Sequence, residues 1–367
     1  MKTIGMSISH VDNQISEKSI GQLSNGQEIV ELIMQRSNGF EARILNYGGI
    51  LTSLRTPDRH GTLGEITLGY DDLSGYLNDE TYMGALIGRY ANRIADGSFT
   101  LNGQQTNLSC NEKGRHLHGG VIGFNRIVWD YEIVNNSDQQ YLKLHHFSPD
   151  KQEGYPGNLD VDVSISLEEI NELHLIITAK TDQISIFNPT YHPYFNLNNN
   201  HQTGILNHVL QIDAKEYLPI TSNMLPVGDV QEVFGTVFDF LTGATIGDLL
   251  DISSPQIAIA GGYDNCFVLS KNKDTIRRVA KVYSPESGRC LTVLSDAPGL
   301  QFYSGNFLNL GSGTRSSLHG QYKALCLEPQ SYPNAPNVGA FPSTLIHPGE
   351  EYRRTIIYQC SLVDQCG

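Results

Sequence analysis

Leu159-Asp160-Val161-Asp162-Val163-Ser164-Ile165-Ser166-Leu167 alternates without a break. Leu159, Val161, Val163, Ile165 and Leu167 fall on one side of an extended chain. Asp160, Asp162, Ser164 and Ser166 fall on the other, as in a strand with one buried face. Leu173 to Ala179 answers it across the polar break Glu168 to Glu172, which predicts a hairpin. Toward the N-terminus, Glu28 to Met34, Phe40 to Leu45 and Ile50 to Leu54 read as strands. Asn38-Gly39 and Gly48-Gly49 are the turns between them. Ser98 to Gln104 reads as a hairpin turning on Asn102-Gly103. Helical spacing is scarce: one short turn within Asp71 to Leu77, and Asp239 to Leu250, interrupted by Gly243 and Gly247. With no linker, repeat or low-complexity tract, the pattern predicts one large antiparallel all-β domain over residues 1–367, with few short helices.

The bulk composition narrows the partners. A net charge of −14 would repel a sugar-phosphate backbone, so nucleic acid is not expected as a partner. No apolar run approaches the roughly 20 residues of a membrane span. The first 25 residues show no basic and apolar leader pattern, so a cytoplasmic location is expected. Cys110, Cys266, Cys290, Cys326, Cys360 and Cys366 form no C-x-x-C, and free thiols are the expectation.

Chemistry-bearing residues gather in a few segments. Ala324-Leu325-Cys326-Leu327 delivers Glu328 just before Pro329, Pro333 and Pro336, so a strand is expected to end at a carboxylate. In Gly88-Arg89-Tyr90-Ala91-Asn92-Arg93-Ile94, an extended chain would put Arg89 and Arg93 on one face, for hydroxyl or carboxylate recognition or for structural ion pairs. On a strand, His116 and His118 would also share a face. An H-x-H metal site, an imidazole aimed at a polar ligand and a hydrogen-bonded surface histidine all fit. A cupin-like site fits less well, because Ile122 and Gly123 stand where it needs a glutamate. Gly119 and Gly120 would let the backbone come close. His192 sits among prolines and aromatics in Asn188-Pro189-Thr190-Tyr191-His192-Pro193-Tyr194-Phe195, which suits a tuned imidazole or a satisfied core histidine. Asp264 follows Gly261-Gly262, and Gln301 precedes Phe302-Tyr303; a turn aspartate and a surface amide are the plain alternatives.

Taken in order, these segments resemble the aldose 1-epimerases, or galactose mutarotases. Gly88 to Ile94, Leu117-His-Gly-Gly120, Glu153-Gly-Tyr-Pro-Gly-Asn-Leu159 and Asn188 to Leu197 carry the likeness. It continues through Tyr263-Asp264, Pro298 to Phe307 and Leu327-Glu-Pro-Gln330, so it runs from about residue 30 to the end. The resemblance implies a β-supersandwich that interconverts hexose anomers, acting on a small aldose as a monomer or homodimer. It implies Glu328 as base and His192 as acid, with Asn92, Arg93, His118, Asp264 and Gln301 binding the sugar. Two positions depart from the usual pattern: Asn265, where the family often has His, and Tyr191, where it often has Asn. Both are expected to bear on substrate preference.

That chemistry suits the residues. Opening a hemiacetal needs a base at O1 and an acid at the ring oxygen, with no redox step and no metal or other cofactor. An ionised Glu328 and a charged His192 facing each other across a pyranose would supply them, with Asp264 helping to keep the imidazolium charged. Two other classes share the residues: a glycosidase using Asp264 and Glu328 as a carboxylate pair, and a non-catalytic sugar-binding module. A relative acting on sugar phosphates would need more basic residues near the cleft.

Overall fold

The computed structural model describes residues 13–135, 139–168, 171–199, 203–269, 275–308 and 320–365. The 159–167 alternation forms the strand Leu159–Glu168, paired in register with Glu172–Thr181. Residues 169 and 170 of the turn between them lie outside the described residues. The two strands belong to a nine-stranded antiparallel sheet. Tyr352–Leu362, the last strand, lies inside that sheet between Glu172–Thr181 and Arg289–Ser295.

The predicted N-terminal strands form a five-stranded meander, Asn13–Gln22, Glu28–Arg36, Glu41–Leu45, Leu51–Pro57 and Leu63–Glu65. Its Gly48-Gly49 turn has φ of 65° and 56°. A β-carbon on Gly49 would stand 2.3 Å from Leu86 Cδ1, so glycine is required there. A second five-stranded sheet runs Gln231–Glu232, Glu216–Tyr217, Asp264–Val268, Gly299–Tyr303, Cys326–Gln330. One apolar core joins all three sheets. Leu32 and Phe40 enter it from the meander, Val163 and Leu175 from the large sheet, and Phe267 and Phe302 from the third. Each fully buried side chain of this kind contributes about 1.5–3 kcal/mol against unfolding.

Helix is sparse. Asp72 caps the short helix Leu73–Leu77, accepting from the Gly75 amide. The predicted helix at 239–250 shrinks to Ile246–Leu249: Gly243 turns at φ 87°, and Ala244–Thr245 adds an edge strand to the large sheet. Among the described residues no helix is long and apolar enough to cross a membrane. The free-thiol expectation holds for Cys110, Cys266, Cys326 and Cys360 but fails at Cys290, which is disulfide-bonded. Sequence spacing carries no signal for that bridge, because bonding depends on which thiols the fold brings together. Cys366 lies outside the described residues.

Candidate active site

Three neighbouring strands of the smaller sheet build one wall of a cleft. Cys266, Gln301 and Glu328 lie opposite one another across Asp264–Val268, Gly299–Tyr303 and Cys326–Gln330. Asp264, Tyr303 and Cys326 form the adjacent row. Side chains alternate across a strand, so all six share one face. Asn265, Phe267, Phe302 and Leu327 take the other face, and the three hydrophobic ones enter the apolar core. Glu328 thus sits in the middle of its strand, not at its end. The strand continues to Gln330 because it is the sheet's outer strand, where Pro329 is tolerated.

Loops supply the opposite wall. His192 Nε2 lies 3.6 Å from Glu328 Oε1, and His192 Nδ1 lies 3.5 Å from Cys326 Sγ. The His192 backbone is pinned on both sides, donating to Ala85 and accepting from Gly84. His118 stands close by, its ring centroid 5.4 Å from that of His192. The Asn92 amide donates to His118 Nδ1 at 3.2 Å. Arg93 grips Glu112 through two 2.8 Å hydrogen bonds and reaches Asp264 Oδ2 at 3.9 Å. The Gln301 amide nitrogen donates to Asp264 Oδ1 at 2.6 Å.

Asn92, Arg93, His118, His192, Asp264 and Glu328 all line the resulting cleft of about 180 Å³. That is below the roughly 300–1,000 Å³ of drug-sized ligand sites, so it suits a small molecule. Gln301 shares the face of Asp264 and Glu328 and holds Asp264 through its amide without itself lining the cleft. Both Gln301 Oε1 and Glu328 Oε2 are buried without a partner among the described residues. Buried polar atoms are seldom left unpaired, and orphans beside a cleft point to a ligand.

Several sequence pairings do not survive. Arg89 and Arg93 share no face, because Asn92 takes φ 63° and breaks the extended chain. Arg89 is buried elsewhere, on Ser148 and the carbonyls of Pro149 and Pro156. His116 and His118 diverge because the strand ends at Leu117 and His118 takes φ 52°. His116 is held by the Ser109 carbonyl and the Tyr155 hydroxyl, so no H-x-H chelate can form. Gly119 allows close approach to the Gly88 carbonyl, where a β-carbon would lie 1.7 Å away, rather than to a ligand. Asn265 points to the Leu218 carbonyl and the Tyr191 hydroxyl to that of Gly49, both on the far side from the cleft. Tyr82 and Glu112 were not singled out in the sequence. Neither stands in a motif, and only the fold brings them to Arg93 and the histidines.

Burial sets the electrostatics. Desolvation pushes the Glu328 carboxyl well above the usual carboxylate range; the Asp264 charge adds to this and Arg93 opposes it. Desolvation pulls His192 down to about 4 and His118 well below its ordinary value. Asp264 is raised by burial, against Arg93 and Gln301. Burial therefore works against the expected ion pair of carboxylate and imidazolium and favours a neutral carboxylic acid beside a neutral imidazole. Asp264 is engaged by Arg93 and Gln301, and the carboxylate that favours a charged His192 is Asp79. The two arrangements of the pair hold the same single proton and differ only in which partner carries it.

An antiparallel β supersandwich with a glutamate beside a histidine in a small cleft is a fold and site suited to a small-molecule ligand. Comparison with known proteins narrows it. The family model "Aldose 1-epimerase" matches residues 31–359. Galactose mutarotase from Homo sapiens is 36% identical over 349 residues, covering 95% of this chain and 99% of that protein. Aldose 1-epimerase from Escherichia coli (strain K12) is 35% identical over 337 residues, covering 91% and 96%. The crystal structure of galactose 1-epimerase from Lactobacillus acidophilus NCFM superposes with a TM-score of 0.83 at 29% identity, covering 95% and 99%. The chain belongs to the aldose 1-epimerase family and is an isomerase.

Proposed function

We propose that this chain interconverts the α and β anomers of free hexoses such as galactose and glucose. In this reading Glu328 is the base and His192 the acid, within one domain spanning residues 1–367. The observation that carries it is the direct contact of the two groups, at 3.6 Å, in the wall of a small cleft. O1 and O5 of a pyranose are both bonded to C1. A base and an acid that serve them together must be close neighbours, which this pair is.

Glu328 takes the O1 proton, C1=O1 forms, the C1–O5 bond breaks, and O5 takes the proton of His192. The aldehyde turns about C1–C2. Closure on its other face returns each proton to the group that gave it. While the chain is open the pair is neutral, the state that burial favours, so desolvation lowers the cost of the open form. The cycle begins from the charged pair, Glu328 ionised and His192 protonated. Asn92, Arg93, His118 and Asp264 face the sugar hydroxyls, and Gln301 acts through Asp264. A cytoplasmic site of action stands beside the Cys290 disulfide, which reducing compartments seldom keep.

Polarimetry on freshly dissolved α-D-galactose and α-D-glucose tests this. The wild type accelerates anomer exchange, whereas Glu328→Gln and His192→Asn each lose roughly 10²–10⁴-fold in kcat with unchanged circular dichroism. A wild type without acceleration removes the activity. Either variant at near-wild-type rate removes the assigned role.

A further inference from the structure

Tyr82 belongs to none of the groups assigned above, yet it occupies the middle of the loop wall. Its ring lies 4.5 Å from that of His118 and 6.3 Å from that of His192, centroid to centroid. The backbone that holds it there is unusual. Tyr82 takes φ 58°, a region that costs any residue with a β-carbon and that glycine or asparagine adopts more readily. The conformation is fixed from below by Asp79. That carboxylate accepts from the Thr81 amide and hydroxyl, from the Met83 amide and from the Tyr70 hydroxyl, at 2.6–3.0 Å. The Thr81 carbonyl in turn accepts from the Tyr194 hydroxyl at 2.8 Å. A turn secured at this many points holds a tyrosine where a smaller residue would be less strained. Strain of this kind persists where the surroundings over-determine it, and it gathers at ligand sites.

The ring is half-buried and lines the cleft beside Asn92, Arg93 and His118. Among the described residues its hydroxyl has one long contact, from Asn111 Nδ2 at 3.4 Å, so it contributes little to holding the loop. We propose that Tyr82 is a substrate-binding residue, its ring forming the apolar platform on which one C–H face of the pyranose rests. This rests on the reading of the cleft as a hexose site. The opposite wall offers the Asp264 and Glu328 carboxyl groups, which suit hydroxyls, beside the rings of Tyr303 and Phe307. A sugar between the two walls meets the Tyr82 ring on one side and the Asp264 and Glu328 carboxyl groups on the other. The platform acts on ground state and transition state alike, so it governs KM more than kcat.

The test uses the full chain, with Tyr82→Ala, Tyr82→Asn and Tyr82→Phe, and D-galactose as the probe. Tyr82→Ala and Tyr82→Asn raise KM roughly 3- to 10-fold, the scale of one aromatic contact, with kcat nearly unchanged. Tyr82→Phe keeps the platform and stays near wild-type KM. Tyr82→Asn, which suits the positive φ, does not lower the thermal midpoint. Galactose binding to Glu328→Gln, with and without Tyr82→Ala, is measured by calorimetry and shows the same loss of affinity without any turnover. Unchanged galactose affinity in the Tyr82→Ala background overturns the proposal. So does a fall in thermal midpoint with KM unchanged, which would make Tyr82 a structural residue only. Because the binding arm needs no catalysis, failure of the Glu328 and His192 roles leaves it readable.

Discussion

The Leu159–Glu168 strand and the Cys326–Gln330 strand are built to opposite rules. In the first, one face is fully buried and apolar while the other is polar and at least partly exposed to water. In the second, every residue is buried on both faces: Leu327 enters the apolar core, and Glu328 on the other side enters the cleft. The first arrangement is what hydrophobic burial selects. The second places a carboxyl where its charged form is disfavoured and one oxygen lacks a partner, which costs stability. Strands that hold the fold need only an apolar stripe, whereas the strand that delivers Glu328 gives up stability to place a carboxyl in the cleft.

The largest effect that would break this comparison lies in the sheet. Leu175→Ala removes a fully buried side chain opposite Ile165 and should lower unfolding free energy by about 2–5 kcal/mol, with kcat of the folded protein unchanged. Urea unfolding followed by circular dichroism reads the first quantity and polarimetry the second. Glu328→Gln should do the reverse, abolishing turnover while the urea midpoint stays level or rises, because a costly buried acid is gone. If both variants lost stability alike, the two regions would not differ as described.

The pH profile sharpens the contrast by a smaller margin. With ordinary values of about 4.3 and 6.5, the pair would lose its proton and kcat/KM would fall above pH 6.5. With His192 depressed to about 4 and Glu328 raised, the pair holds its last proton to higher pH than an ordinary carboxylate would. It gains a second only near pH 4, so kcat/KM should hold level from about pH 5 upward, with its upper limb set by the raised Glu328 carboxyl. The limbs belong to the pair rather than to either residue. A decline beginning near pH 6.5 would show that the cleft leaves the pair unperturbed. The smallest effect is expected at Asn265: Asn265→Ala should leave kcat/KM within roughly threefold for galactose and glucose, because the side chain faces away from the cleft. A larger change in the ratio of the two sugars would restore the expectation that this position tunes preference.

Much of this molecule was legible in the order of its residues. The 159–167 alternation, the Gly48-Gly49 and Asn102-Gly103 turns and the capped turn at Asp72 each report a local preference, and the structure keeps all of them. The family motifs also single out the candidate site side chains. The Glu328–His192 contact was not legible, because those residues lie 136 positions apart in sequence and meet only through the packing of a strand against a loop. Nor was the split of Arg89 from Arg93 or of His116 from His118, since a single left-handed residue at 92 or 118 undoes a period-2 reading. Nothing in the sequence marks Tyr82 or the protonation of the pair. Local pattern sets where strands run and which way side chains alternate. Burial, and with it the charge on Glu328 and His192, is a property of the assembled walls, so only the tertiary structure could decide it.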